Sequence, residues 1–183
     1  MQIKLRFVSQ TFDVIEGEAV LRRLIPTDDP LPTPDLTNVG IYPFRSPTVA
    51  IESVDGHGML ALIVFKLRRH PDGALLRAFM VLTKDFTDRE LLDGEVEIDL
   101  DACKAVLLRV VDQKGPFDYA NIKIGFPKVM KQTIGVTTDE RGELTVLVLP
   151  PEEFTASAGD LTRTAITVGA DLAPYFVVVT RTP

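Results

Sequence analysis

The chain has 183 residues, 45% of them apolar, enough for one large domain or two small ones with packed cores. Its 26 acidic residues outweigh 20 basic ones, and the resulting net charge of −6 repels a phosphate backbone, so no nucleic-acid partner is expected. Its longest apolar run, residues 59–65, is far short of the ~20 residues that cross a bilayer, which argues against membrane insertion. The single cysteine, Cys103, allows no intrachain disulfide, and the N-terminus lacks the apolar block of a secretory signal. A cytoplasmic protein, or part of a particle assembled in the cytoplasm, is expected.

Short alternating runs rich in Val, Ile, Thr and Phe, separated by Gly, Pro and Asp, favour an all-β chain. Ile3, Leu5 and Phe7 share one face of a strand over residues 1–8, and residues 12–25 continue in the same manner, with a turn expected near Glu16-Gly17-Glu18. Four prolines, Pro26, Pro30, Pro32 and Pro34, impose extended geometry with few ladder donors on residues 26–34, a surface strap or an arm toward a neighbour. Strands are expected over residues 48–54, 58–67 and 75–82, with reversals at Asp55-Gly56-His57-Gly58 and His70-Pro71-Asp72-Gly73. Lys66, Arg68 and His70 fall on one face and suit a solvated edge strand. Residues 85–92 are the best helical stretch, with Asp85 or Thr87 as cap and Phe86, Leu91 and Leu92 packing inward. Asp93-Gly94 then reads as a hairpin turn into residues 95–100.

The second half carries a run of turns and strands: Asp112-Gln113-Lys114-Gly115-Pro116, Ala120-Asn121-Ile122-Lys123-Ile124, Thr137-Thr138-Asp139-Glu140-Arg141-Gly142-Glu143-Leu144-Thr145-Val146 and Leu149-Pro150-Pro151-Glu152-Glu153-Phe154. Asp139 to Gly142 reads as the turn of a hairpin between residues 134–137 and 144–149. Over residues 105–182 this order resembles the carboxypeptidase regulatory-like, or prealbumin-like, β-sandwich domain. Leu144 stands where that family has an aromatic, and Glu152 where it has a glycine. The resemblance implies a sandwich and says little of activity, because such sandwiches serve as spacers, adhesive modules, assembly subunits and sugar binders. The expected architecture is therefore all-β: two small β-sandwich domains, Ig-like or prealbumin-like, with at most one short helix. Residues 1–101 form an N-terminal β domain with the proline strap, and residues 102–183 the regulatory-like sandwich.

No catalytic constellation emerges. His57 and His70 sit in separate turns rather than in a ligand pair, Ser9, Ser46, Ser53 and Ser157 lie outside any nucleophile elbow, and Cys103 has no histidine in its segment. Asp28, Asp29 and Asp35, or Asp112, Asp118 and Asp139, follow no calcium-loop spacing and suit turns instead. No enzyme activity, metal or cofactor is expected. What remains is a structural or assembly subunit making protein–protein contacts in a larger complex, such as a phage or phage-tail-like particle. The alternative is a glycan- or peptide-binding module. The candidate contact residues are Pro26, Pro30, Pro32, Pro34, Tyr42, Phe44, Phe117 and Tyr119.

Overall fold

The computed structural model describes residues 2–24, 36–52, 59–112, 115–127, 129, 133–149, 153–158, 164–167 and 175–180. The proline strap, residues 26–34, lies outside them, as do His57, Ser53 and Glu152. The described residues are nearly all β, with one short α-helix. The chain falls into two compact units, Met1–Leu75 with Met80–Ala102, and Leu76–Phe79 with Cys103–Pro183.

In the first unit, β1 (Gln2–Val8), β4 (Thr48–Glu52) and β7 (Glu95–Asp99) form a sheet in the order β4-β1-β7. The β1–β7 pairing is parallel. The second sheet holds β2 (Phe12–Leu24), β3 (Leu36–Phe44), β5 (Met59–Arg69) and β6 (Leu75–Lys84), in the order β6-β5-β2-β3. Strand alternation explains the core: Ile3, Leu5 and Phe7 are buried while Gln2, Lys4 and Arg6 face water. Outside, Arg6 pairs with Glu95 at 2.9 Å and with Glu97 at 2.5 Å. Phe7 from one sheet meets Phe44 and Phe65 from the other, with ring centroids 5.6 and 5.1 Å away.

Several expectations are corrected here. No turn forms at Gly17; β2 runs straight through it. Gly17 lies opposite Phe44 on one side and Phe65 on the other. A Cβ built there would fall 2.4 Å from Phe44 Cζ and 2.5 Å from the Val64 carbonyl oxygen. The glycine thus makes room for the Phe44 ring over the strand rather than for a reversal. The reversal comes earlier, at residues 9–11. There Asp101 accepts hydrogen bonds from Ser9 Oγ at 2.6 Å, Gln10 N at 2.5 Å and Thr11 N at 3.3 Å. Lys66 and Arg68 are exposed on a face, not an edge, since β5 lies between β6 and β2.

Burial works to raise the Asp101 pKa, but the bonds from Ser9, Gln10 and Thr11 outweigh it and hold the carboxyl below its usual value. A depressed folded pKa adds stability above the unfolded value, about pH 4, that is lost as pH falls through the folded one. Asp101→Ala is expected to cost about 1 kcal/mol at neutral pH, as the loss of a cap does. In urea titrations the gap to wild type should close in acid; a gap independent of pH would contradict this account.

The helix α1 (Asp88–Asp93) forms where Thr87 and Glu90 make a capping box: Glu90 N donates to Thr87 Oγ1 and Thr87 N to Glu90 Oε2. Gly94, at φ 65°, ends the helix in the left-handed conformation, so Asp93-Gly94 is a C-cap and not a hairpin turn. Of the three side chains expected to pack inward, Phe86 and Leu91 are half-buried and Leu92 is 86% exposed, so only Leu92 is corrected; α1 has no fully buried residue. A six-residue helix is below the length that propensity alone sustains, so its caps matter more than its packing. Thr87→Ala should therefore raise hydrogen exchange over residues 88–94 by roughly fivefold, about 1 kcal/mol of local opening, with little change in global unfolding.

The second unit is a β-sandwich. One sheet has the order β15-β8-β12, where β8 is Lys104–Asp112, β12 Glu143–Val148 and β15 Tyr175–Thr180, with Leu76–Phe79 of β6 alongside β12. A two-residue strand, β9 (Gly115–Pro116), folds back on β8. The other sheet has the order β11-β10-β13-β14, from β10 (Asn121–Gly125), β11 (Thr133–Thr137), β13 (Glu153–Ala158) and β14 (Thr164–Thr167). Val106, Leu108, Val110, Leu144 and Val146 of the first sheet and Ile122, Ile124, Val136, Phe154 and Ala156 of the second are buried. Phe126 stacks on Phe154 with centroids 5.8 Å apart and lies 6.4 Å from Phe79. The expected hairpin across Asp139–Gly142 is corrected: β11 pairs with β10 and β12 with β8, so the turn carries the chain between sheets.

Candidate interaction surface at the Tyr119 turn

That turn and the loop between β9 and β10 are built into each other. Thr138, fully buried, accepts from Ala120 N at 2.7 Å through its hydroxyl and donates its own N–H to the Ala120 oxygen at 2.9 Å. Asp139 organises the rest. Its Oδ1 accepts from Arg141 N at 2.9 Å and Glu143 N at 2.8 Å, while its carbonyl oxygen accepts from Tyr119 N at 2.9 Å and Gly142 N at 3.1 Å. An Asx turn of this kind is the physical reason for Asp at that position. Around it, Glu143 takes the Arg109 guanidinium, with Nε at 2.9 Å, and Arg141 reaches Asp139 at 3.3 Å.

The outcome is a stiff platform that presents one aromatic ring. Tyr119 sits at φ 51°, the only positive φ on a non-glycine among the described residues, and is 63% exposed. Holding a tyrosine left-handed costs on the order of 1 kcal/mol, which the loop bonds must offset. Phe117 beside it is half-buried, its N–H donating to Val110 O at 3.0 Å.

The other candidate contacts fare differently. The Phe44 ring is buried in the first unit's core against Phe7 and Phe65, so packing is its role there. Tyr42 is half-buried on β3; its ring lies over Gly40, whose added Cβ would meet the ring at 2.7 Å, and its hydroxyl donates to Glu52 O at 3.2 Å. Pro26, Pro30, Pro32 and Pro34 lie outside the described residues. Phe117 and Tyr119 lie in the same loop, and the large apolar side chains exposed outside the candidate list are Ile41, Leu75, Leu92 and Leu149. For Leu92 a signal was present, since the Thr87–Glu90 capping box sets the helix register.

Among the described residues, no group of three or more His, Cys, Asp or Glu side chains gathers in a way that would hold a metal ion. His70 pairs with Asp13, Nε2 to Oδ1 at 3.0 Å, at the exposed end of β5. Ser9 and Ser46 serve turns, Ser157 is buried, and Cys103 is half-buried. No described helix is long and apolar enough to cross a membrane.

The chain matches no protein-family model. No curated protein matches it in sequence. Solved structures similar to it include a streptococcal ancillary pilin, at 11% identity over 98% of this chain and 68% of that one, with a TM-score of 0.36. The shaft pilin spaA of Lactobacillus rhamnosus GG, in its D295N form, shares 10% identity over 100% of this chain and 98% of that one, with a TM-score of 0.34. The minor pilin of Streptococcus agalactiae shares 11% over 100% and 96%, with a TM-score of 0.31. Likeness at this level carries no function from those proteins to this one.

Proposed function

We propose that the chain is a non-enzymatic structural subunit whose β domains make protein–protein contacts in a larger complex, with a phage or phage-tail-like particle as the assembly to examine first. On this reading residues 102–183 are a carboxypeptidase regulatory-like sandwich used for docking, and the protein stays in the cytoplasm or in a particle assembled there. The observation that carries the reading is Tyr119, a large amphipathic ring exposed on a backbone that is strained and hydrogen-bonded into place. Tyrosines of this kind are enriched at interface centres, because they bring contact area with little side-chain entropy to lose. The terminal strand β3 adds support: among the described residues no strand lies beyond it, and Ile41 on it is 58% exposed.

The test is the native mass of the untagged protein from its source, by light scattering with mass spectrometry of accompanying chains. A defined complex is expected, and a solitary monomer would overturn the reading. With the partner in hand, Tyr119→Gly should leave stability within about 0.5 kcal/mol, since glycine relieves the positive φ while loosening the unfolded chain. It should nevertheless weaken binding at least tenfold. The same ring favours a second reading, a glycan- or peptide-binding module with Phe117 and Tyr119 as contacts. Saturable shifts of Tyr119 resonances in glycan titrations would support that module, and none across a broad panel would remove it.

A further inference from the structure

Two exposed leucines of the first unit, Leu75 and Leu92, lie at opposite ends of β6. At the far end, α1 exposes Leu92, and Asp88, one helical turn earlier, shares its face. The neighbouring charges are already matched: Arg89 pairs with Asp93 at 3.4 Å, and Glu90 with Lys84 at 2.9 Å. Asp88 carries no such partner among the described residues. The helix therefore shows a leucine beside a carboxylate that makes no ion pair among the described residues.

At the near end, Arg69 N donates to Ala74 O at 2.8 Å, which sets the β5–β6 register and places Arg68 directly across from Leu75. Leu75 is 49% exposed. Asp13 lies opposite Arg68 on β2, but its carboxylate engages His70 at 3.0 Å, and Arg68 has no ion pair among the described residues. This face shows a leucine beside a guanidinium that makes no ion pair among the described residues. The two ends are separated by the ten residues of β6, about 30 Å of strand, too far to meet within one chain.

We propose that the chain associates with copies of itself head to tail, the Leu92–Asp88 face of one copy docking on the Leu75–Arg68 face of the next. This rests on the assembly reading above and names a second copy as one of its partners. The apolar residues bury each other and the two unmatched charges pair, so each face supplies what the other lacks. Because the two faces differ, the contact is heterologous and propagates unless the rotation between copies closes a ring. The contact is small, so association is weak and salt-sensitive.

The experiment is sedimentation velocity of the full chain at up to about 1 mM in low salt, a concentration that reveals millimolar affinity. Wild type should show mass rising with concentration, and Leu92→Asp and Leu75→Asp should each be monomeric with unchanged thermal midpoints. The decisive sample is their equimolar mixture. One variant keeps only the basic face and the other only the helix, so the mixture should give a one-to-one dimer and nothing larger. The double exchange of Asp88→Arg with Arg68→Asp should recover association that either substitution alone abolishes. A wild type monomeric throughout, or a mixture that stays monomeric while wild type associates, would overturn the proposal. If wild type is monomeric alone yet travels with other subunits from its source, this self-association falls while the assembly reading stands.

Discussion

Phe65→Ala is expected to destabilise the first unit by about 3–5 kcal/mol, the range for removing a fully buried phenylalanine. Phe65 is buried on a central strand, edge-on to Phe7 at 5.1 Å and 6.1 Å from Phe44. Its loss removes the apolar transfer energy and both edge-to-face contacts at once. Collapse into the gap is hindered, because Phe44 is already pressed over Gly17 and the β2 backbone runs beneath. Domains are stable by only about 5–15 kcal/mol, so the unit should be partly unfolded near 37 °C. Hydrogen exchange measured peptide by peptide would show it: protection should fall across β1, β2 and β5, and a loss confined to the immediate neighbours of residue 65 would refute the cooperative core described above.

The second large effect is expected at Gly142, where alanine should cost about 2–4 kcal/mol through two terms. Its φ of 71° is left-handed, which an L-residue adopts at roughly 1–2 kcal/mol. An added Cβ would also fall 2.7 Å from Phe117 O and 3.0 Å from Val110 O, both backbone atoms of the interlocked loops. Gly73 provides the control, because its φ of 69° is similar but nothing lies within 4 Å of its built Cβ. Gly73→Ala should thus show the conformational cost alone, and the excess at Gly142 measures the close approach. Urea unfolding of both variants tests this; equal losses would mean that the loops give way freely. Because the same loops hold Tyr119, Gly142→Ala should also weaken any partner that reads that ring.

Much of the architecture was legible in local pattern. Alternation at Ile3, Leu5 and Phe7, the reversal between Asp112 and Gly115, and the Thr87 cap are properties of neighbouring residues, and they appear where the sequence places them. The errors share a cause. Asp139 to Gly142 has the chemistry of a tight turn whether the flanking strands pair with each other or part to two sheets, and only the cores on either side decide between these. Gly17 likewise reads as a turn until Phe44, 27 positions away in sequence and opposite it in the sheet, is seen to need the space.

The candidate surface divides in the same way. Composition and turn chemistry left Phe117 and Tyr119 only as conceivable contacts of an interaction module. They could not show that the Asp139 carbonyl holds Tyr119 or that its ring faces water. Leu92 and Phe44 make the converse case: side-chain type suggested an inward leucine and a surface phenylalanine, and the fold reverses both. The sequence by itself determined the strand periodicity, the Thr87 cap and the net charge, because these act through neighbouring residues or simple sums. Which strands pair, which apolar side chains remain in water and which charges go unmatched were decided only by the tertiary structure, because each depends on what distant segments bring to the same place.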